Sequence, residues 1–388
     1  MDRPLFLVLL TGILFLFQSG SLPFLSADEP RYTRIAEEML SSGDWVIPHL
    51  EGKPWLEKPP LFYWLAAGIF SLLGSGEAQS RAVSALALAA TGAALCFFGG
   101  RWFSPQAGRL AALMFVSSSA VIGFARGASM DALFTCLSFC GICAFGQALW
   151  EDSQAKRVLY LTFSGVSIGL AVLAKGLLGL FLPVALLVLF CLWTESWHRL
   201  TWTGILLWGT VVLLVALPWH YLAFQREGFS FLATYLINHQ VARFLTEIHH
   251  HAQSYFYYLL VLPASILPWT PFLLLLANRN PPNRSEERPN IPRGHATLLL
   301  TLLTLFLLLF FSLSSSKLPG YILPACPPLV LLIAVRCLAE EDSGQSSKLP
   351  AIALHASAIL MLLIGTALSG FLVQSYGISL LSALACGS

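Results

Sequence analysis

Long apolar segments recur along this chain, and they constrain its fold more than any other feature. A helix needs about 20 apolar residues to cross the roughly 30 Å hydrocarbon core of a bilayer. Segments of this kind lie near residues 4–24, 82–100, 106–125, 130–150, 158–174, 176–193, 202–224, 256–277, 296–313, 319–338 and 350–374. Because 56% of the 388 residues are hydrophobic, the sequence predicts an all-α polytopic membrane protein with about 11 transmembrane helices.

The positive charges between these segments predict which loops face the cytoplasm. Lys and Arg accumulate in cytoplasmic loops, and a cytoplasmic N-terminus places most of the loop charges inside. That inside set is Arg101, Arg109, Lys156, Arg157, Arg199, Arg279, Arg284, Arg288, Arg293, Arg336 and Lys348. The pattern holds only if the short apolar run 61–73 does not cross, so we interpret that run as juxtamembrane or re-entrant. Loops 26–60 and 225–255 then lie on the outer side.

Loop 26–60 holds an unusual share of the charge in a chain of which only 11% is charged. Its start predicts a helix, because Asp28 can act as an N-cap and Pro30 fits the first turn. Apolar side chains from Tyr32 to Leu40 fall on one face, and Ser41-Ser42-Gly43 ends the helix. We interpret it as an amphipathic helix lying on the membrane.

Composition excludes several classes of protein. A net charge of +2 argues against nucleic-acid binding, which needs a concentrated basic field. No Gly-rich nucleotide-binding loop is present. Cys136, Cys140 and Cys143 share a helix face without a nearby His, so we expect packing roles rather than a metal site. The apolar run 4–17 lacks a small-x-small cleavage site before the charged loop, which favours a retained helix over a signal peptide.

Two acids lie at the ends of outward-facing segments, namely Asp28 and Asp131. A carboxylate near the bilayer surface can accept a proton, orient a nucleophile or hold a metal. The alternative for Asp28 is a helix cap. The alternative for Asp131 is a cap of the helix that follows, with Arg126 as its ionic partner.

Further polar candidates stand at other points on the outer side. Glu57 and Lys58 precede Pro59-Pro60, which presents the pair on a stiff turn, where Lys58 can meet a phosphate and Glu57 a divalent ion. The alternative is an interfacial ion pair. His239 lies one helical turn from Arg243, and His249, His250 and His251 follow. Lys175 and Lys317 are lone cations at segment ends that either snorkel or bind an anionic headgroup.

Several of these motifs together resemble those of one enzyme family. The motifs are Asp28-Glu29-Pro30-Arg31-Tyr32, Gly43-Asp44-Trp45-Val46-Ile47-Pro48-His49-Leu50, Glu57-Lys58-Pro59-Pro60-Leu61, Arg126 to Asp131, Ala174-Lys175-Gly176, Asn238-His239 to Arg243, Tyr257-Tyr258 to Pro268-Trp269, and Ser316-Lys317-Leu318-Pro319-Gly320-Tyr321-Ile322-Leu323-Pro324. They resemble the bacterial GT-C glycosyltransferases of the dolichyl-phosphate-mannose–protein mannosyltransferase-like family. The branch that transfers aminoarabinose to lipid A is the most similar.

This resemblance implies a GT-C fold and the inverting transfer of a sugar from a polyprenyl-phosphate carrier. The acceptor would be lipid A or a related cell-envelope glycolipid, at the periplasmic face of the bacterial inner membrane. Residues 1–374 would form the transmembrane glycosyltransferase domain and 375–388 a short tail, without the C-terminal periplasmic domain of close relatives. By motif position, the resemblance assigns a catalytic role to Asp28 and Asp131, a divalent metal, plausibly zinc, to Glu57 and His239, and substrate or phosphate binding to Arg31, Lys58, Lys175, Arg243, Lys317 and Tyr321.

Two rival functions remain at this point. Protein O-glycosylation would use the same fold with a different acceptor. A transporter or flippase of a lipid-linked sugar would place polar residues in mid-membrane and usually contain a repeat, whereas the ionisable groups here stand at segment ends on one side.

Overall fold

Helices form nearly all of the regular structure in this computed structural model, which describes residues 3–235, 253–277, 292–342 and 349–376. The α-helices are α1 (Arg3–Leu16), α2 (Asp28–Ser42), α3 (Leu61–Leu73), α4 (Glu77–Trp102), α5 (Pro105–Val116), α6 (Ser119–Ala125), α7 (Met130–Trp150), α8 (Gln154–Lys175), α9 (Leu178–Thr194), α10 (Trp202–Glu227), α11 (Phe229–Phe231), α12 (Tyr257–Ser265), α13 (Arg293–Leu313), α14 (Cys326–Asp342) and α15 (Leu349–Tyr376). Three 3-10 helices cover Ser196–Arg199, Thr270–Ala277 and Pro319–Ala325. A small hairpin pairs β1 (His49–Leu50) with β2 (Lys53–Pro54).

Within these described ranges, seven helical segments are long and apolar enough to cross a membrane. They are α4, α7, α8, α10, α13, Pro319–Glu340 and Leu349–Thr366. Two bent pairs raise the number to nine, because α5 and α6 meet at 63° and α12 meets the 3-10 helix Thr270–Ala277 at 109°.

The structure does not confirm the expected number of eleven spans. Helix α1 has 14 residues and α9 has 17, which rise only about 21 Å and 26 Å. Helix α3 has 13 residues, a rise of about 20 Å, and this length agrees with the interpretation that 61–73 does not cross. Hydropathy marks an apolar segment but not where its helix bends or ends, and this explains the difference.

The predicted loop helix is confirmed as α2, which ends at Gly43 with a left-handed φ of 70°. Its apolar face packs against protein, whereas its position at the membrane surface stays a prediction. Ile35, Ala36 and Met39 are fully buried, and the Tyr32 ring lies 5.6 Å from the ring of Phe62 on α3. The short helix α3 covers the face that sequence periodicity alone would assign to the bilayer.

The β1–β2 hairpin directly precedes the turn that carries Glu57 and Lys58. Both turn residues have positive φ, 54° at Glu51 and 73° at Gly52, as the tight turns of two-residue hairpins require. The Glu38 carboxylate on α2 accepts hydrogen bonds from both turn amides, at 2.9 and 3.0 Å. Helix α2 therefore holds the hairpin, and the chain leaves β2 shortly before Glu57.

Buried side chains form two clusters. The larger one includes α5, α7, α9, α13 and α14. The smaller one includes α2, α3 and parts of α4, α7, α8 and α10. Cys143 lies in the first and Cys136 in the second, which is the packing role predicted for these thiols.

Candidate active site

A cavity of about 850 Å³ opens where the first loop meets the ends of several helices. The start of α2, the 57–59 turn, the 126–131 connection and the 314–321 turn supply its polar wall. The ionisable and phenolic residues that line it are Asp28, Glu29, Tyr32, Glu57, Lys58, Arg126, Asp131, Lys175 and Tyr321. Its apolar wall includes Phe124, Leu177, Leu178, Phe181, Phe310 and Phe311. The cavity thus offers charged and hydrocarbon surfaces side by side.

Asp28 is the first residue of α2 and does not cap it. The N-cap position is Ala27, which makes no side-chain cap hydrogen bond, so the capping alternative is wrong. The Asp28 carboxylate instead accepts a hydrogen bond from Arg31 at 2.9 Å. Both side chains are substantially exposed, 47% for Asp28 and 38% for Arg31, so this pair contributes little to stability. Asp28 therefore lines the cavity with a carboxylate that contributes little to the stability of the fold.

Tyr32 connects Asp28 with Lys58. The Lys58 ammonium donates a hydrogen bond to the Tyr32 hydroxyl. Burial raises the pKa of Tyr32 well above 10, and a hydrogen bond to Asp28 raises it further. The phenol therefore stays protonated at physiological pH and can donate to the Asp28 carboxylate while it accepts from Lys58.

Asp131 lies one residue into α7 and pairs with Lys175 at the end of α8. The helix cap is Ser129, whose hydroxyl accepts from the Asp131 amide at 3.2 Å. The Asp131 carboxylate forms a salt bridge with Lys175, whose ammonium lies 4.6 Å from the centre of the Tyr321 ring. The alternative of Arg126 as the ionic partner of Asp131 is therefore wrong, because helix packing brings Lys175 closer.

Gly320 packs directly against Asp131. A Cβ atom added at Gly320 would overlap Asp131 Oδ2 and would lie 3.0 Å from Phe124 Cζ. Real side chains do not approach so closely, so only glycine fits at this position with the carboxylate where it is. Sequence reasoning does not reveal this contact, although Gly320 lies within one of the motifs named above.

Glu29 and Arg81 form a buried ion pair beside the cavity. Arg81 Nε donates to Glu29 Oε1 at 2.9 Å, and the two side chains are only 1% and 3% exposed. Glu29 also accepts from the amides of Leu25 at 2.8 Å and Ala128 at 2.9 Å. Arg81 donates to the carbonyls of Leu22 and Pro23. The pair therefore ties the loop before α2, helix α4 and the turn before α7 to one another.

Sequence reasoning misses this pair as well. Glu29 belongs to the first motif but receives no role there, and Arg81 lies outside all of the motifs. The sequence does contain a signal for this pair, because Arg81 is a lone arginine near the start of a long apolar helix and needs a partner.

The Glu29→Gln substitution should strongly destabilise the protein while Glu37→Gln should not. Removing one partner of a buried pair leaves the other charge uncompensated and costs about 3–5 kcal/mol. Glu37 on the same helix contacts Arg34 only at 3.7 Å on the exposed surface. Thermal unfolding of the detergent-solubilised variants measures the difference, and equal melting temperatures of the two variants would contradict it.

The same pair predicts an acid dependence of stability. Burial raises the pKa of Glu29, but hydrogen bonds from Arg81, Leu25 and Ala128 outweigh it, so the pKa lies below the ordinary 4.5. The stabilisation is therefore complete above pH 4.5 and is lost as pH falls through the lower folded-state pKa. The Glu29→Gln variant should lack this part of the acid-induced loss in melting temperature.

Some residues predicted for the site are not part of the cavity lining or lie outside the described residues. Arg31 pairs with Asp28 and lies 5.4 Å from the Trp55 ring. Lys317 is buried, with 4% exposure, and donates to the Ser314 carbonyl. His239, Arg243 and the run His249, His250 and His251 lie outside the described residues. Roles for these residues therefore stay predictions.

The predicted metal site is incomplete in the part of the chain that the structure describes. Glu57 lines the cavity, as does Asp28, but no group of three or more His, Cys, Asp or Glu side chains converges among the described residues. A zinc site takes four ligands as a rule. Of the two predicted ligands, the described residues include only Glu57, because His239 lies outside them, so the metal site stays a prediction.

Comparison with known proteins gives consistent matches. The family model described as dolichyl-phosphate-mannose-protein mannosyltransferase matches residues 5–234. The undecaprenyl phosphate-alpha-4-amino-4-deoxy-L-arabinose arabinosyl transferase of Pseudomonas aeruginosa (strain LESB58) is 30% identical over 371 residues, which are 95% of this chain and 64% of that protein. The second such transferase of Pseudomonas fluorescens (strain Pf0-1) is 32% identical over 368 residues, 92% of this chain and 63% of that protein. The chain thus spans less than two thirds of the length of these relatives.

Solved structures show the same fold. ArnT from Cupriavidus metallidurans bound to undecaprenyl phosphate superposes with a TM-score of 0.76 at 25% identity, covering 98% of this chain and 74% of that chain. Its apo form gives a TM-score of 0.78 and covers 97% and 65%. The archaeal oligosaccharyltransferase AglB from Archaeoglobus fulgidus gives 0.54 at 12% identity over 100% of this chain and 56% of that chain, a likeness of fold alone.

Proposed function

Because this chain belongs to the dolichyl-phosphate-mannose-protein mannosyltransferase family, we propose that it is an integral-membrane glycosyltransferase. Its donor is a sugar on a polyprenyl phosphate, and its acceptor is a phosphate-bearing glycolipid of the cell envelope such as lipid A. The names of its relatives support undecaprenyl phosphate as the carrier and 4-amino-4-deoxy-L-arabinose as the sugar.

One observation carries this proposal. The cavity joins two acids from separate helices, Asp28 and Asp131, with Lys58 and Lys175 and with a wall of Phe and Leu side chains. A polyprenyl-phosphate sugar has the matching parts, namely a sugar to be oriented, a phosphate to be neutralised and a hydrocarbon chain to be covered. A flippase would need a path for the headgroup across the membrane, whereas these charges cluster in one place.

The chemistry follows from the placement of these groups. Displacement at the anomeric carbon breaks the bond to the carrier phosphate, whose leaving oxygen gains negative charge. Lys58 and Lys175 meet this charge electrostatically. An acceptor hydroxyl would lose its proton to a base such as Asp28. An acceptor phosphate is already nucleophilic, and Asp28 then orients the reacting groups with Tyr32 and Arg31 as its hydrogen-bond partners.

A transfer assay tests the proposed function. The purified chain in lipid nanodiscs receives radiolabelled undecaprenyl-phosphate aminoarabinose and lipid A, and the label should move to lipid A. Movement of the labelled lipid between leaflets of a proteoliposome without a covalent change would instead indicate a transporter. Transfer to a protein hydroxyl would indicate protein O-glycosylation.

We further propose that Glu57 and His239 bind a divalent metal, plausibly zinc, at the carrier phosphate. The Glu57→Gln and His239→Ala variants should each bind less metal and turn over more slowly, because each loses one ligand of a sparse site. Elemental analysis of protein purified without a histidine tag measures the metal content, with Glu37→Gln as control. Full metal content and full turnover of His239→Ala would refute its part in the site.

The chain is a multi-pass membrane protein, and we propose that its active site faces the periplasm from the bacterial inner membrane. In a variant without accessible native thiols, single cysteines at Gly52 and Ser285 should label from opposite sides, with Gly52 periplasmic. Gly52 is exposed at the hairpin turn, and the Arg-rich 278–294 segment should be cytoplasmic. Equal reaction of both with an impermeant thiol reagent in spheroplasts would refute this topology.

A further inference from the structure

Most of the carboxylates in the cavity wall form salt bridges. Asp28 pairs with Arg31, Glu29 with Arg81 and Asp131 with Lys175. Arg126 differs from these cations, because it lines the cavity but forms no salt bridge with any residue that the structure describes. Its side chain donates one long hydrogen bond, of 3.4 Å, to the Phe17 carbonyl.

The backbone around Arg126 is held firmly in place. The Arg126 amide donates to the carbonyl of Ile122 within α6, at 3.2 Å. Two residues later the Ala128 amide donates to the buried Glu29, and the Ser129 amide donates to Ser84 on α4 at 2.8 Å. The turn therefore holds the half-buried residue Arg126 at the cavity from a fixed base.

A guanidinium in such a place suits a phosphate group. Its planar fork donates two parallel hydrogen bonds to phosphate oxygens, and it keeps its charge at any physiological pH. The reaction proposed above involves two phosphates, one on the carrier and one on the acceptor. Lys58 and Lys175 already serve the carrier phosphate in that proposal, which leaves Arg126 for the second anion.

We propose that Arg126 binds a phosphate group of a lipid substrate and that this phosphate belongs to the acceptor. Arg126 would thereby select a phosphorylated glycolipid over a neutral one. This inference rests on the proposed function for the identity of the two lipids.

Equilibrium binding tests the inference without any need for turnover. The full chain in nanodiscs is titrated with three probes: undecaprenyl phosphate, bis-phosphorylated lipid A and dephosphorylated lipid A. Arg126→Gln should weaken binding of bis-phosphorylated lipid A about tenfold or more, since a charge-assisted hydrogen bond is lost. Its affinity for the other two probes should not change. Arg126→Lys should recover part of the loss, because it keeps the charge but not the fork.

Arg34→Gln is the matched control. Arg34 lies on α2 in loop 26–60, but its side chain is 59% exposed and pairs with Glu38 outside the cavity. The affinities of Arg34→Gln for all three probes should therefore stay at the wild-type value. Unchanged binding of bis-phosphorylated lipid A by Arg126→Gln would overturn the inference. A loss confined to undecaprenyl phosphate would overturn the assignment to the acceptor and move Arg126 to the carrier phosphate. Wild-type protein that binds lipid A but transfers no sugar would refute the proposed function and leave this inference standing.

Discussion

Asp28→Asn should fold, insert into the membrane and bind the carrier lipid, but transfer sugar at least about a hundredfold more slowly. Loss of a positioned base or orienting group typically costs about 10²–10⁴-fold in rate. Asparagine keeps the shape of the side chain and can still contact Arg31. The ion pair that it weakens is an exposed one, worth only about 0.2–1 kcal/mol. Asp28→Asn should therefore lose most of its activity while it keeps nearly all of its stability.

Glu37→Gln provides the control for charge, because it removes one negative charge from the same helix outside the cavity lining. Transfer measured in membranes at matched protein levels should stay near the wild-type rate for this control. Near-wild-type transfer by Asp28→Asn would leave Asp131 and Glu57 as the remaining acids of the site. If Asp28 and Asp131 act in one step, Asp131→Asn should slow transfer similarly, and the double variant should be less impaired than the product of the single effects.

Gly320→Ala should impair transfer about a hundredfold, although it adds a single methyl group far from Asp131 in sequence. The new Cβ would need the space that Asp131 Oδ2 occupies. The carboxylate would have to turn away and weaken its salt bridge with Lys175. A displacement of about 1 Å among the catalytic groups and the substrate can cost about 10²-fold in rate.

Gly123→Ala is the matched control for this substitution. Gly123 lines the same cavity, but a Cβ there would meet no atom within 4 Å, and alanine favours a helix. Transfer by Gly123→Ala should therefore stay near the wild-type rate. If Gly320→Ala is too unstable to assay, Asp131→Asn tests the same carboxylate without the steric clash. Full activity of both variants would contradict a role for Asp131 in transfer.

Most of the charged and phenolic lining of the cavity is predictable from the sequence. Asp28, Glu57, Lys58, Asp131, Lys175 and Tyr321 all meet at one cavity. Their positions at the ends of apolar segments, on one side of the predicted membrane, already place them on the same surface. Helix packing then decides which of these groups reach the same cavity, since Lys317 is also at a segment end on that side but is not part of the lining.

The alternatives that gave Asp28 and Asp131 roles or partners close along the chain are wrong. Arg126 is close to Asp131 in sequence, and only the capping alternative for Asp131 pairs the two. The true partner, Lys175, lies 44 positions away in sequence. Helix capping is the alternative role for Asp28, but the helix already begins at that residue.

The sequence by itself determined the membrane-embedded helical class, the charged loop and the helix within it. These properties depend on how each segment partitions between water, interface and hydrocarbon, which composition and periodicity record locally. Only the tertiary structure decided which charges pair and which glycine must stay a glycine. The Glu29–Arg81 pair, 52 positions apart, and the Gly320–Asp131 contact depend on distances of a few ångströms between separate helices. Hydropathy carries no information on such distances, because many packings bury the same apolar surface and only one of them places these atoms in contact.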